Sequence, residues 1–126
     1  MKVLLVEDNK FARDTVAEAL QSLGHNAVVV ADKGAACQII QERLETIEMI
    51  LTDCDLPAPD EGLEIIDFAR KTVGFRGPII LMSGRYRAIE AGKVGAEFLP
   101  KPFGLENLEF AIQRAEIKGA LPAFEW

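Results

Sequence analysis

Five side chains that can do chemistry stand where short apolar runs end. Glu7 and Asp8 follow one such run, Asp53 follows a second, Ser83 a third, and Lys101 comes after a fourth. Carboxylates that lie close together repel each other, so a group of three needs a cation. Oxygen ligands without His or Cys favour Mg²⁺ or a similar hard ion.

These residue types indicate phosphoryl transfer onto a carboxylate. Asp8 and Asp53 could bind the metal directly, with Glu7 acting through a water molecule. Lys101 could neutralise one phosphoryl oxygen and the Ser83 hydroxyl could donate to another, while a carboxylate serves as the nucleophile. Electrostatic stabilisation would then supply most of the catalysis. Taken singly, each residue also fits a simpler role at a turn, on the surface or at a helix end.

Their common position follows from the elements that carry them. Apolar periodicity predicts strands over 2–6, 26–31, 48–52, 78–82 and 96–100, and helices over 10–23, 33–44, 62–72, 86–92 and 105–118. Gly24 is expected to end the first helix and Asp32 to cap the second. Short apolar strands between amphipathic helices predict an α/β fold, a doubly wound parallel sheet with helices on both faces. In such sheets the functional crevice lies beyond the carboxyl ends of the strands, where all five side chains fall.

Composition narrows the function classes. The chain has 126 residues, which suits one domain, and a net charge of −6, which disfavours binding to a nucleic acid. No apolar run approaches the length of about 18 residues that membrane insertion requires. Cys37 and Cys54 have no metal-type spacing and are interpreted as reduced thiols, so a cytoplasmic location is expected. His25, the only histidine, is expected on the surface, away from the crevice.

Four segments resemble the receiver domain of two-component response regulators. They are VLLVEDN at 3–9, ILTDCDLP at 50–57, PIILMSG at 78–84 and FLPKPF at 98–103, and the resemblance covers essentially the whole chain. It implies a flavodoxin-like, CheY-like sheet of strand order 2-1-3-4-5. It also implies a receiver domain over 1–118, followed by a tail over 119–126 that forms no separate output domain.

The resemblance assigns a role to each chemical position. Asp53 would accept a phosphoryl group from a histidine kinase or a histidine phosphotransfer protein, and Ser83 and Lys101 would contact that group. The implied Mg²⁺ ligands are Glu7, Asp8, Asp53 and the backbone carbonyl of Asp55.

Other positions would transmit or tune the signal. Ser83 and Phe98 match the switch pair, in which the aromatic ring moves inward when the hydroxyl is drawn to the phosphate. Asp55 and Arg85 match positions that affect access to the phosphoryl group. The Lys101-Pro102 pair commonly has a cis peptide bond in this family, and cis bonds occur mainly before proline.

The sequence departs from the family pattern in three places. Pro57 is followed by Asp60-Glu61-Gly62, one residue later than usual, which predicts a reshaped loop. The interval from Ser83 to Lys101 is short, which predicts a short or irregular fourth helix. Phe98 also lacks the hydroxyl group of the tyrosine often found at its position.

Three functions remain open on these grounds. The leading one is a phosphorylation switch that changes binding to a downstream protein and catalyses only its own phosphotransfer and dephosphorylation, so it is not an enzyme in the usual sense. The second is a degenerate receiver that only binds proteins. The third is a haloacid-dehalogenase-like phosphatase built on Asp53-Cys54-Asp55, although Leu56-Pro57 does not match that motif.

Overall fold

The computed structural model describes residues 1–119, which form a five-stranded parallel sheet with helices on both faces. The strand order is β2-β1-β3-β4-β5, which confirms the predicted fold. The strands are β1 Lys2–Val6, β2 Asn26–Val30, β3 Met49–Asp53, β4 Ile79–Ser83 and β5 Glu97–Pro100. The helices are α1 Lys10–Ser22, α2 Lys33–Glu42, α3 Glu61–Asp67, α4 Ala88–Lys93 and α5 Leu105–Gly119. Of the tail expected over 119–126, residues 120–126 lie outside the described residues.

Two apolar cores lie on the two faces of the sheet. Successive side chains of a strand point to opposite faces, so Leu4 and Val6 join one core while Val3 and Leu5 join the other. The first core includes Ile40 of α2, and the second includes Leu20 of α1. The three central strands β1, β3 and β4 are therefore buried on both sides, which explains why most of their residues are apolar.

Local signals place the helix ends. Asp32 caps α2 as predicted, because its side chain accepts a hydrogen bond of 2.8 Å from the Ala35 amide. Asn9 does the same for α1, through a bond of 2.9 Å from the Ala12 amide. Gly24 follows α1 with a φ of 88°, a left-handed conformation that favours glycine, so this prediction is confirmed as well.

Two predicted helix lengths are wrong. The second helix ends at Glu42 rather than at 44, and a separate 3₁₀ turn covers Leu44–Thr46. The third helix is not a single α-helix over 62–72, since α3 ends at Asp67 and Phe68–Val73 forms a π-helical segment. The wider turns of this segment contain Arg70, a buried cation that donates hydrogen bonds to loop carbonyl groups beyond it.

At the carboxyl end of the sheet, the helix and strand bounds agree closely with those predicted from the sequence. The fourth helix, α4, has six residues, which confirms that it is short. Asp53 and Ser83 are the last residues of β3 and β4, whereas the predicted strands ended one residue before them. Within residues 1–119, no helix is both long and apolar enough to cross a membrane.

Candidate functional site

Three carboxylates gather at the carboxyl end of the sheet. Glu7 and Asp8 follow β1, and Asp53 ends the neighbouring strand β3, so the parallel register brings them to one place. Ligand oxygens of all three residues lie within 4.8 Å of one another. Lys101, which follows β5, places its Nζ 3.0 Å from Asp53 Oδ1 and 3.5 Å from Glu7 Oε1. The structure therefore brings these four side chains together, and their predicted roles stay predictions.

Burial and close charges shift the pKa values of Glu7 and Lys101 in this cluster. Glu7 is almost fully buried, and this burial together with its contacts to Asp53 raises the pKa of Glu7 from 4.5 to about 8. Burial would lower the pKa of Lys101, but its hydrogen bond to Asp53 and the charges of Asp53 and Glu7 raise it above the usual value. At neutral pH the ammonium group thus stays charged beside Asp53.

The donor set fits a magnesium ion. Glu7, Asp8 and Asp53 offer only carboxylate oxygens, which Mg²⁺ prefers. Glu7 Oε2 is buried and has no hydrogen-bond partner among residues 1–119, so a ligand on this oxygen would satisfy it. Asp8 is exposed to solvent, which leaves a path for the ion to enter.

Without metal, the protein should become less stable as the pH rises. Because folding raises the pKa of Glu7 from 4.5 to about 8, the folded chain keeps a proton that the unfolded chain releases. The stability that this proton on Glu7 contributes should be fully present below about pH 4.5 and fall, by about 2–4 kcal/mol, as the pH reaches 8. Glu7→Gln cannot ionise and should flatten this profile, measured by urea denaturation in EDTA.

A surface carboxylate provides the control for this measurement. Glu106→Gln, in the exposed first turn of α5, should keep the wild-type slope. Added Mg²⁺ should stabilise the wild-type protein at pH 8 more than it stabilises Glu7→Gln. An unchanged slope in Glu7→Gln would contradict the assigned pKa of Glu7.

Ser83 stands between the cluster and a charged loop. It is buried at the end of β4, and its backbone carbonyl accepts a hydrogen bond of 2.8 Å from the Lys101 amide. Its hydroxyl oxygen accepts a hydrogen bond of 3.0 Å from the backbone amide of Arg85. The Ser83 hydroxyl is thus coupled to the conformation of the loop over 84–87.

The predicted tuning residues contact each other directly. The Arg85 guanidinium binds the Asp55 carboxylate through two hydrogen bonds, Nη2 to Oδ1 at 2.6 Å and Nε to Oδ2 at 3.1 Å. This pair holds the pKa of Asp55 below its usual value. The Asp55 side chain therefore faces the loop over 84–87, and the proposed role of its backbone carbonyl as a metal ligand stays a prediction.

Two residues of this surface were missed by sequence reasoning. Asp60 Oδ1 lies 3.0 Å from Arg85 Nη2 and 3.2 Å from Arg87 Nε, so one carboxylate binds two arginines. The extra residue between Pro57 and Gly62 was the only signal that this loop differs. Nothing in the sequence indicates which cations a residue there would reach.

An aromatic pair lies beside the same loop. Phe98 on β5 is half-buried against the first core, and its ring meets Tyr86 edge-on, with centroids 6.0 Å apart at 68°. Tyr86 itself is 71% exposed. The sequence identified Phe98 as the switch position but did not indicate its partner.

The two cysteines and the histidine were not predicted to take part in the chemistry. Cys54 is buried, and burial raises the pKa of its thiol to about 12, while Cys37 is half-buried; both are free cysteines. His25 is half-buried in the loop before β2, at the edge of the sheet opposite the carboxylates. It is therefore away from the site, as predicted.

Comparison with known proteins shows which family this chain belongs to. The sequence pattern of the response regulator receiver domain matches residues 3–113, nearly the whole chain. The chain belongs to the response regulator receiver family. The Lys101-Pro102 peptide bond of this receiver domain is cis, as the resemblance implies.

Relatives of this receiver domain differ greatly in length. It is 31% identical to the response regulator protein FleR of Pseudomonas aeruginosa over 98% of the chain, but it spans only 26% of that protein. It is 30% identical to a CheY homologue, a chemotaxis protein of Campylobacter jejuni, with 82% of each chain covered.

Solved structures share the architecture. The chemotaxis response regulator CheY4 of Vibrio cholerae is 28% identical with a TM-score of 0.79, covering 90% of this chain and 97% of that one. The receiver domain of a sensor histidine kinase of Pseudomonas aeruginosa is 30% identical with a TM-score of 0.76, covering 90% and 95%. That structure holds a magnesium ion in its active-site cleft.

Proposed function

We propose that this receiver domain is a phosphorylation switch in which Asp53 accepts a phosphoryl group from a histidine kinase or a histidine phosphotransfer protein. The observation that carries the proposal is the distance of 3.0 Å between Lys101 Nζ and Asp53 Oδ1 inside a cluster of three carboxylates. Phosphorylation then changes binding to a downstream protein. The domain catalyses only its own phosphotransfer and dephosphorylation, and it acts in the cytoplasm.

The contacts of Asp53 indicate how it would react. Asp53 Oδ1 accepts hydrogen bonds from Lys101 Nζ and from the Cys54 amide, both at 3.0 Å, which fixes the orientation of the carboxylate. We assign the other oxygen, Oδ2, as the nucleophile. It forms a bond to phosphorus while the bond from phosphorus to the donor's imidazole nitrogen breaks, and the imidazole leaves with the electron pair.

Charge neutralisation supplies the driving force. Glu7, Asp8 and Asp53, with the backbone carbonyl of Asp55, would hold Mg²⁺. When bound, the ion neutralises the carboxylates and the phosphoryl oxygens. Lys101 stays beside Asp53 Oδ1 and contacts the phosphoryl group after transfer, and the Ser83 hydroxyl donates to another phosphoryl oxygen.

We propose that the phosphodonor docks in a groove beside Lys101, the residue that contacts Asp53. A groove of about 530 Å³ is lined by Lys101, by the apolar groups of Val16, Pro102 and Phe103, and by Phe11, which is 81% exposed. Because Lys101 lines both the groove and the phosphorylation site, an apolar segment seated here would carry its phosphohistidine to Asp53. We therefore assign this groove to the phosphodonor.

Phosphorylation would be transmitted through the aromatic pair. When the Ser83 hydroxyl moves to the phosphoryl group, the loop over 84–87 must follow, because the Arg85 amide is bonded to that hydroxyl. Phe98 then moves inward and its edge-on contact with Tyr86 changes. Arg85, two residues after Ser83, is the cation that can cover the phosphoryl group and limit the access of water.

The geometry disfavours the phosphatase alternative. In that mechanism Asp55 would act as a general acid, but its carboxylate is bound by the Arg85 guanidinium and by the Asp60 amide, at 2.9 Å from Oδ1. The degenerate receiver is disfavoured because Glu7, Asp8, Asp53 and Lys101 lie together in one cluster.

Chemical phosphorylation tests the proposal. Incubation with Mg²⁺ and acetyl phosphate, followed by intact mass measurement, should show one added phosphoryl group on the wild-type protein. Asp53→Asn should take up none, because an amide cannot replace the nucleophilic carboxylate. Asp14→Asn, which changes an exposed acid paired with Lys10 in α1, should label like the wild type.

The outcomes separate the three functions. Equal labelling of wild type and Asp53→Asn would overturn the assignment of Asp53. Steady hydrolysis of phosphomonoesters would instead favour the phosphatase. A wild-type protein that takes no label but binds a partner would be the degenerate receiver.

A further inference from the structure

Asp60 occupies a backbone conformation that suits glycine better than aspartate. Its φ is 63° and its ψ is 13°, in the left-handed region, and among residues 1–119 it is the one non-glycine residue with positive φ. Such a conformation costs free energy for any residue with a Cβ, although aspartate tolerates it better than most. An acid at this position brings a carboxylate to the loop over 84–87, which a glycine could not do.

The Asp60 carboxylate connects two loops. Its Oδ1 binds Arg85 and Arg87 of the loop over 84–87, and it accepts a hydrogen bond of 3.4 Å from Cys54 Sγ. Its backbone amide donates to Asp55 Oδ1 at 2.9 Å. Asp60 therefore links the loop before α3 to the loop after β4, in addition to the link between Asp55 and Arg85.

The contacts of Asp60 help to fix the position of the Arg85 guanidinium. Asp55 and Asp60 both bind its guanidinium, while Asp53 is paired with Lys101. A phosphoryl group on Asp53 would add negative charge near the same loop, because the Arg85 amide is bonded to the Ser83 hydroxyl. Asp55, Asp60 and the phosphoryl group would then compete for one guanidinium.

We propose that Asp60 is a positioning residue that holds Arg85 away from the phosphoryl group and so shortens the lifetime of the phosphorylated state. This inference rests on the proposed function. In the hydrolysis step, water attacks phosphorus while the bond from phosphorus to the Asp53 oxygen breaks, which releases inorganic phosphate and regenerates the carboxylate. A guanidinium over the phosphoryl group hinders the approach of that water, and Asp60 draws the guanidinium back.

The test compares the loss of label in four proteins: wild type, Asp60→Asn, Arg85→Ala and the double variant. Each is labelled with Mg²⁺ and acetyl phosphate, freed from the donor, and followed by intact mass. Asp60→Asn removes the charge but keeps a side chain that tolerates a left-handed backbone. It should lose its label about two- to fivefold more slowly than wild type, the factor that one exposed ion pair is worth.

If Asp60 acts by positioning Arg85, the effect of Asp60→Asn on the rate of label loss should depend on Arg85. A general structural effect of Asp60→Asn would not depend on Arg85. In the Arg85→Ala background, Asp60→Asn should leave the rate unchanged, because no guanidinium remains to be redirected. Glu61→Gln, the neighbouring acid whose Oε1 accepts from the Ala58 amide, should match wild type.

Two results would overturn the inference alone. One is an unchanged lifetime in Asp60→Asn while the wild type labels normally. The other is an equal effect of Asp60→Asn with and without Arg85. A wild-type protein that takes up no label would overturn the proposed function itself, and this inference with it.

Discussion

Gly62→Ala should destabilise the protein by about 3 kcal/mol or more and displace the phosphorylation site. A Cβ on Gly62 would lie 2.0 Å from the Asp53 carbonyl oxygen and 2.8 Å from Cys54 Cα, and both are backbone atoms. The Gly62 amide also donates a hydrogen bond of 2.7 Å to the Cys54 carbonyl, so the start of α3 rests directly on the end of β3. Neither side can give way without moving Asp53.

The consequence for function follows from this displacement. Labelling by acetyl phosphate depends on the placement of Asp53 relative to Lys101 and the other carboxylates, and a shift of about 1 Å can cost as much as 100-fold in rate. We expect a correspondingly slow labelling of any folded Gly62→Ala protein. Urea denaturation measures the stability, and intact mass over time measures the rate.

Gly92→Ala is the matched control for this added methyl group. Gly92 is exposed within α4, and a Cβ there would meet no atom within 4 Å. Alanine is the better helix former, so this variant should be as stable as wild type or more stable, by about 0.5–1 kcal/mol. Equal stability of Gly62→Ala and wild type would contradict the close contact at Asp53.

Arg70→Met should lower the free energy of unfolding by about 3–5 kcal/mol. Arg70 is 8% exposed, and its guanidinium donates hydrogen bonds to the carbonyl groups of Phe75 at 2.8 Å, Gly77 at 2.8 Å and Gly95 at 2.6 Å. It also lies over the Phe75 ring, 5.8 Å from the centroid. Methionine fills similar space but leaves three carbonyl groups without their charged donor.

These bonds join distant parts of the chain. Phe75 and Gly77 lie in the segment that leads into β4, and Gly95 lies in the turn before β5. Burial lowers the pKa of Arg70 to about 10, so the guanidinium remains charged at neutral pH and its bonds keep their strength. Loss of Arg70 would loosen the strands that carry Ser83 and Phe98.

Its neighbour supplies a control of the same chemistry. Lys71→Met removes an exposed cation paired with Asp67 within the same helical segment, and it should change stability by no more than about 0.5 kcal/mol. Arg70→Lys keeps the charge but lacks the planar fork, so it should fall between wild type and Arg70→Met. Urea denaturation of all three tests this order, and equal stability of Arg70→Met and Lys71→Met would contradict it.

The sequence by itself determined the architecture of the sheet and which polar residues lie at its carboxyl end. Apolar runs of strand length alternate with amphipathic helices, and that pattern follows from burial of a parallel sheet on both faces. Once the strands are parallel, residues at their carboxyl ends must share one edge. Glu7, Asp8, Asp53, Ser83 and Lys101 could therefore be grouped without coordinates, because each lies at the carboxyl end of a strand or just beyond it.

Only the tertiary structure decided which loops contact each other and how the pKa values of buried groups are shifted. The pairing of Asp60 with Arg85 and Arg87 depends on how two loops fold over the sheet, and loop conformation has no periodicity in sequence. The capping of three carbonyl groups by Arg70, and the π-helical segment that contains it, arise from contacts up to 25 residues apart. The raised pKa of Glu7 likewise depends on its burial beside Asp53, since the cost of a buried charge is set by the neighbours that packing brings to it.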